Sequence, residues 1–209
     1  MKKKKVLIIV HGAWRVHLKN GTAKKVLASA LDLLTSKRGI TRRDYRYLAD
    51  YLGRNYDVVE SLKWDGKLFE KFDLIPAAQD LEKLLKKYSK DTVDIIAVSV
   101  GGFIVTKALE NLRMKINKIL YLGAVHDSKH KLKNVKKSIN VYSKIDKMFF
   151  YANDLYEGIG NAVLKGKNVL NVAFENLRHD ELCKNIILEE KSYQNKYLFD
   201  LYKNLLLQK

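Results

Sequence analysis

The sequence predicts an α/β fold: a three-layer α/β/α sandwich built on a mainly parallel sheet of about six strands. Three observations carry this. Six short runs rich in Val and Ile recur along the chain. They lack strict polar alternation, as strands buried on both faces of a parallel sheet do. Amphipathic helical patterns lie between them, which supplies the crossovers that parallel strands need.

The first strand is "KVLIIV" (5–10). An amphipathic pattern over 22–37 and a second over 43–54 follow, the latter ending at Gly53 as a helix C-terminus should. The second strand is "YDVVES" (56–61). After it, "PAAQDLEKLLKKY" (76–88) reads as a helix with Pro76 at its first position and Ala77, Leu81, Leu84 and Leu85 on one face. "VDIIAV" (93–98) is the third strand, and the helix "GGFIVTKALENL" (101–112) starts almost directly behind it. "KILYLGAV" (118–125), "SINVYS" (138–143) and "NVLNVAF" (168–174) complete the strands. The last helix, over 193–207, places Tyr197, Leu198, Leu201, Tyr202 and Leu205 on one stripe, which packs on the sheet.

Length and composition bound the function. A chain of 209 residues suits one domain spanning 1–209, with a core that buries roughly 70% of the unfolded chain's surface. The single Cys183 excludes an internal disulfide, and no set of Cys and His has zinc-ligand spacing. The N-terminal "MKKKKVLIIVHGAW" imitates a signal peptide, but its apolar run is too short and leads into His11 and Gly12. A cytoplasmic location is the expectation. No apolar stretch reaches the ~20 residues of a membrane span. The net charge of +17 is carried mostly by lysines spread along the chain, which reads as a solvated surface before it reads as a nucleic-acid site.

In open parallel sheets, ligands bind at the C-terminal ends of the strands. There the chain places "HGAW" (11–14), "SVGG" (99–102), "KIDK" (144–147) and "ENLRHDEL" (175–182). Ser99, Asp146 and His179 therefore stand, in that order, after the third, fifth and sixth strands, and a serine, an acid and a histidine in this order are the chain order of a strand–elbow–helix triad. A serine between a strand and a helix, with Gly101 and Gly102 behind it, suits a sharp turn that exposes the hydroxyl. The helix behind it aims its N-terminal N–H groups at a developing negative charge.

These stretches resemble a compact α/β-hydrolase of the serine esterase and lipase kind, without a large lid domain. The likeness covers most of the chain and rests on "VLIIVHGAW", "VDIIAVSVGGFIVTKALE", "INVYSKIDKMFF" and "NVAFENLRHDEL". It implies Ser99 as nucleophile, Asp146 as acid and His179 as base. It also implies an oxyanion hole from the backbone N–H groups of Ala13 and Val100, and acyl transfer that requires no metal or organic cofactor. "WDGK" (64–67) adds a likeness to small hydrolases of the same superfamily.

Two features depart from a minimal member. The stretch 15–42 is longer than needed, and is expected to add a helix at the pocket mouth. Asp127 in "AVHDSKH" is a rival acid, although the acid loop matches better around Asp146. Ala97 stands where glycine is usual, two residues before the serine. Trp14, Trp64 and Met148, with Phe149 and Phe150, are candidates to line an acyl pocket. Lys129, Lys131, Lys133, Lys136 and Lys137 form the densest basic cluster, expected on the site's side and suited to an anionic substrate or a phospholipid surface. The rival readings are a non-catalytic binding member of the fold and a basic polyanion-binding protein.

Overall fold

The computed structural model describes residues 2–12, 15–16, 42–64, 67–68, 74–110, 112–126, 133–146, 163–189, 191–193 and 196–208. Their strands are β1 (Lys5–Val10), β2 (Arg15–Val16), β3 (Val58–Ser61), β4 (Lys67–Leu68), β5 (Thr92–Val98), β6 (Ile116–Leu122), β7 (Val135–Ser143) and β8 (Val169–Phe174). Their helices are α1 (Arg42–Gly53), α2 (Leu74–Lys87), α3 (Gly101–Glu110) and α4 (Leu198–Leu207).

Six strands form one sheet in the order β3-β1-β5-β6-β7-β8, and each pairing is parallel. A separate parallel pair joins β2 to β4, which the sequence did not signal. The side-chain period of two divides the sheet cleanly. Val6, Ile8, Val10, Val93, Ile95 and Ala97 face one core with residues of α2 and α3. Leu7, Ile9, Ile96, Val98, Ile139 and Val141 face the other with residues of α1 and α4. A layer of helices therefore lies on each face, which is the three-layer sandwich.

The expected strands all form, with their ends displaced by a few residues. Burial is nearly continuous along the central strands β1, β5, β6 and β7, apart from exposed Lys5 and Lys136 near two of their starts. On β3 and β8, at the two edges, Val59 and Leu170 are exposed, because an edge strand has a neighbour on one side alone. Helix α2 begins at Leu74, so Pro76 sits third rather than first. It is still within the first turn, where a missing N–H breaks no helical bond. The last helix begins at Leu198, and Tyr197 is an exposed flanking residue bridged to Ile187. Its buried side chains are Leu198, Phe199, Tyr202, Leu205 and Leu206, so the stripe is rotated from the expected one. The expected 22–37 helix lies outside the described residues. No described helix is long and apolar enough to cross a membrane.

One buried cation ties the last helix to the sheet. Lys118 on β6 is buried, and its Nζ donates to Leu206 O at 2.6 Å and to Gln208 O. It thus meets carbonyls that the end of a helix leaves unpaired, at the negative end of the dipole. Asp94, paired in register with Lys118, is buried too and accepts from Tyr56 Oη at 2.8 Å and Asn117 Nδ2 at 2.7 Å. Burial raises the Asp94 pKa against the bonds from Asn117 and Tyr56, and lowers that of Lys118 against the charge of Asp94. We predict that Lys118→Met, which leaves the helix carbonyls without their donor, lowers stability by about 2 kcal/mol in urea unfolding.

Candidate active site

The three residues picked out at strand ends stand at one end of the sheet. Ser99 lies between β5 and α3, with φ of 53°, the left-handed region that a serine reaches only at a cost of about 1–2 kcal/mol. Its peptide groups are held from the next strand over. The Ser99 N–H donates to Leu122 O at 3.1 Å, and Ser99 O accepts from Val125 N at 2.9 Å and Gly102 N at 3.0 Å. These bonds supply what the strained turn needs in order to persist.

The turn is also crowded, which explains its glycines. A Cβ on Gly101 would lie 2.4 Å from Val10 O, and one on Gly12 would lie 2.7 Å from Ser99 Cβ. Both contacts fall short of any ordinary carbon separation, so a methyl has no room there. Ala97 sits on the other side of the serine, fully buried in the core of the α2 and α3 face, and its methyl is accommodated.

Asp146 follows β7 in a short turn in which its N–H donates to Ser143 O at 3.3 Å. Its carboxylate is completely buried, and His179 Nδ1 donates to its Oδ2 at 2.7 Å. His179 opens the 3₁₀ turn His179–Cys183 behind β8. Glu181 holds that turn by accepting from Arg178 N at 2.8 Å, while Leu182 and Cys183 plug it into the core. The imidazole lies over Gly123, which has φ of 51° and where a Cβ would stand 3.0 Å from His179 Nδ1. Burial pulls the His179 pKa down, but the Asp146 charge, its hydrogen bond and the charge of Asp180 outweigh this and leave it raised. With Nδ1 donating to Asp146, Nε2 is the ring's basic atom. The stretch 122–125 therefore touches both Ser99, through its backbone, and His179, through its ring. Among the hydrogen bonds of the described residues there is none from Ser99 Oγ to His179.

Val100, named for the oxyanion hole, precedes α3, and its N–H donates to no backbone carbonyl of the described residues. Trp64 is half-buried beside the turn after β1. Its ring stacks on His11 at 5.2 Å and its Nε1 donates to His11 O at 3.3 Å. Ala13, Trp14, Met148, Phe149, Phe150 and the rival acid Asp127 lie outside the described residues, as do Lys129 and Lys131. Lys133, Lys136 and Lys137 are placed at the opposite end of the sheet, around the start of β7, and not beside Ser99. The basic loop leaves the site's end, but it has crossed the sheet by the time it reaches these residues. Among the described residues, no three of His, Cys, Asp and Glu converge as a metal ion requires.

Two contributors escaped the sequence reading. Tyr45 of α1 is buried, and its Oη accepts the Gly12 N–H at 3.0 Å. With Trp64 on His11 O, and with His11 Nδ1 donating to Gly12 O at 2.8 Å, it holds the turn beside Ser99 in place. The spacing of Tyr45, Leu48 and Leu52 marks a core-facing stripe, but nothing in it points to the Gly12 amide. Gly123 is the other, and its only sign was a glycine at the end of an apolar run.

No protein-family model matches the chain, and no curated protein matches it. Solved structures do. A structure reported for the metagenome-derived lipolytic enzymes LipS and LipT has a TM-score of 0.48 at 12% identity, over 88% of each chain. A predicted CIB-like hydrolase from Thermoplasma acidophilum gives 0.45 at 11% identity, over 97% of this chain and 84% of the other. The Pyrococcus horikoshii acylaminoacyl peptidase gives 0.45 at 13%, over 87% of this chain and 34% of its own. At this distance the likeness says nothing of activity. The fold stands on the chain's own strand order and parallel pairing.

The two sides of the serine should respond differently to one methyl. Gly101→Ala is expected to destabilise by about 3 kcal/mol or to displace the turn, because the obstacle is backbone. Ala97→Gly should cost only about 1 kcal/mol. Chemical denaturation of the two variants measures the difference.

Proposed function

We propose that the chain is a serine hydrolase that cleaves a carboxylic ester or a related acyl bond through Ser99, His179 and Asp146. The observation that carries this reading is the His179 Nδ1 to Asp146 Oδ2 hydrogen bond, 2.7 Å long. It joins two residues 33 positions apart at the strand ends, beside a serine held at φ of 53°.

His179 Nε2 takes the Ser99 hydroxyl proton as Oγ attacks the acyl carbonyl. Asp146 fixes the ring orientation and stabilises the imidazolium that forms. The Val100 N–H, at the positive end of the α3 dipole, receives the oxyanion, with Ala13 as the second donor implied by the family likeness. The tetrahedral intermediate collapses as the imidazolium protonates the leaving group. Water, deprotonated by His179, then attacks the acyl-enzyme and releases Ser99.

A second reading, a binding member of the fold that does no chemistry, is favoured by one observation: the lack of a Ser99 to His179 hydrogen bond among those of the described residues. Catalytic hydrogen bonds are often long before substrate binds, which keeps this reading second.

A fluorophosphonate probe separates the two. Labelling of the native chain, lost in Ser99→Ala and in His179→Ala, supports the enzyme, and an unlabelled native chain supports the binding member. Ser99→Ala should also lower hydrolysis of a p-nitrophenyl acyl ester at least about a thousandfold, with an unchanged circular dichroism spectrum.

The pH dependence follows from the raised His179 pKa. Below that pKa the imidazolium cannot accept the serine proton, so kcat/KM should rise with pH through an inflection above the ordinary histidine value of about 6.5. Asp146→Asn removes the main raising influence. It should shift the inflection downward and lower kcat by about 10³–10⁴.

A further inference from the structure

The candidate site makes no use of most of the excess of 40 Lys and Arg over 23 Asp and Glu. Because the six strands are parallel, all their N-termini meet at one end, opposite Ser99. Exposed Lys4 and Lys5 stand at the head of β1. The Thr92 N–H donates to Lys4 O at 2.9 Å, which brings in the start of β5 and the exposed Lys90 before it. Next is β6, preceded by exposed Arg113 and Lys115. The Ile116 N–H donates to Asn134 O at 2.9 Å and so joins β7, where Lys133 and Lys136 are exposed and Lys137 is half-buried. The Ser138 N–H donates to Asn168 O at 2.8 Å and brings up β8, with exposed Lys165 and Lys167 before it.

None of these cations has an ion-pair partner among the described residues. Asp57 and Asp91 share this end, and each accepts a backbone N–H at the head of β1, from Lys5 at 2.7 Å and from Lys4 at 3.0 Å. The row of positive charge crosses the sheet from β1 to β8, about 19 Å at ordinary strand spacing.

We infer that this end of the molecule docks on an anionic phospholipid surface. The charges are spread in a row along the starts of neighbouring strands, as a plane of anionic headgroups would meet them. All but Arg113 are lysines, which act as point charges and lack the forked geometry with which arginine reads phosphate. Among the described residues, the exposed aromatics Tyr47 and Tyr197 lie on α1 and before α4, away from this edge, where they could not stack bases as single-strand binders do. Attraction is electrostatic, worth about fivefold in affinity per lysine near the surface, and screened by salt.

The orientation has a consequence for the proposed hydrolase, and this consequence alone rests on that reading. β6 spans seven residues, about 23 Å, between the two ends. A docked molecule therefore turns Ser99 away from the bilayer, towards substrates in solution.

Sedimentation with vesicles tests the docking without any catalysis, so its failure is separable from failure of the hydrolase reading. The full chain should sediment with phosphatidylcholine vesicles containing about 30 mol% phosphatidylserine and stay in solution with phosphatidylcholine alone, and 0.5 M salt should release it. The triple variant Lys115→Gln, Lys136→Gln, Lys167→Gln should bind about 100-fold more weakly. Lys63→Gln, Lys144→Gln, Lys196→Gln removes the same charge from the other end and should bind as the native chain does. Circular dichroism checks that both variants fold. Equal binding to the two vesicle types, no binding to the anionic ones, or equal loss in the two triples would overturn the inference. So would binding of a 20-base-pair duplex DNA more than tenfold tighter than to vesicles at matched anionic charge, which would reassign the surface to nucleic acid.

Discussion

The backbone clamp on Ser99 is the interaction on which the rest of the site depends. A serine in the left-handed region is unstable by itself, and the Leu122 carbonyl and the Val125 amide hold it from the neighbouring strand, with the Gly102 amide bonding it from α3. Those groups are available because β6 runs parallel beside β5 in a register that ends both strands together, with Val98 opposite Leu122. The same few residues include Gly123, over which the His179 ring lies. One strand end thus positions both Ser99 and His179, and the parallel sheet sets the site's geometry through it.

The helix layers act on the site from their two sides. Helix α3 begins behind Ser99 and presses Gly101 against the Val10 carbonyl. Helix α1 sends Tyr45 to the Gly12 amide from the opposite face. The 3₁₀ turn carrying His179 is plugged in by Leu182 and Cys183, and Tyr202 of α4 donates to Leu182 O at 3.0 Å. His179 is therefore anchored to the last helix, which Lys118 holds at its other end. A change at the C-terminal helix has a direct structural path to the imidazole.

Parallel strands also give the molecule two chemically unlike ends. The C-terminal end gathers Ser99 and Asp146, both buried, and His179, which is hydrogen-bonded to Asp146. The N-terminal end gathers exposed lysines whose neighbouring carboxylates are occupied with the backbone. Composition reports only their sum, a net charge of +17.

The sequence by itself determined the strands, the layer architecture and the order Ser99, Asp146, His179, because each is local. Val and Ile runs, helical periodicity and the residue that follows a strand are all readable in one dimension. It did not determine which strands were edges, and so overstated the burial of "YDVVES" and "NVLNVAF". It placed Lys133, Lys136 and Lys137 beside the serine, because a loop's direction is visible in sequence while its return is not. Tertiary structure alone decided that Tyr45 meets Gly12, that Gly123 makes room for His179, and that the lysines before separate strands form one surface. Each of these joins residues far apart in the chain, and such contacts exist only once the register of a parallel sheet is set.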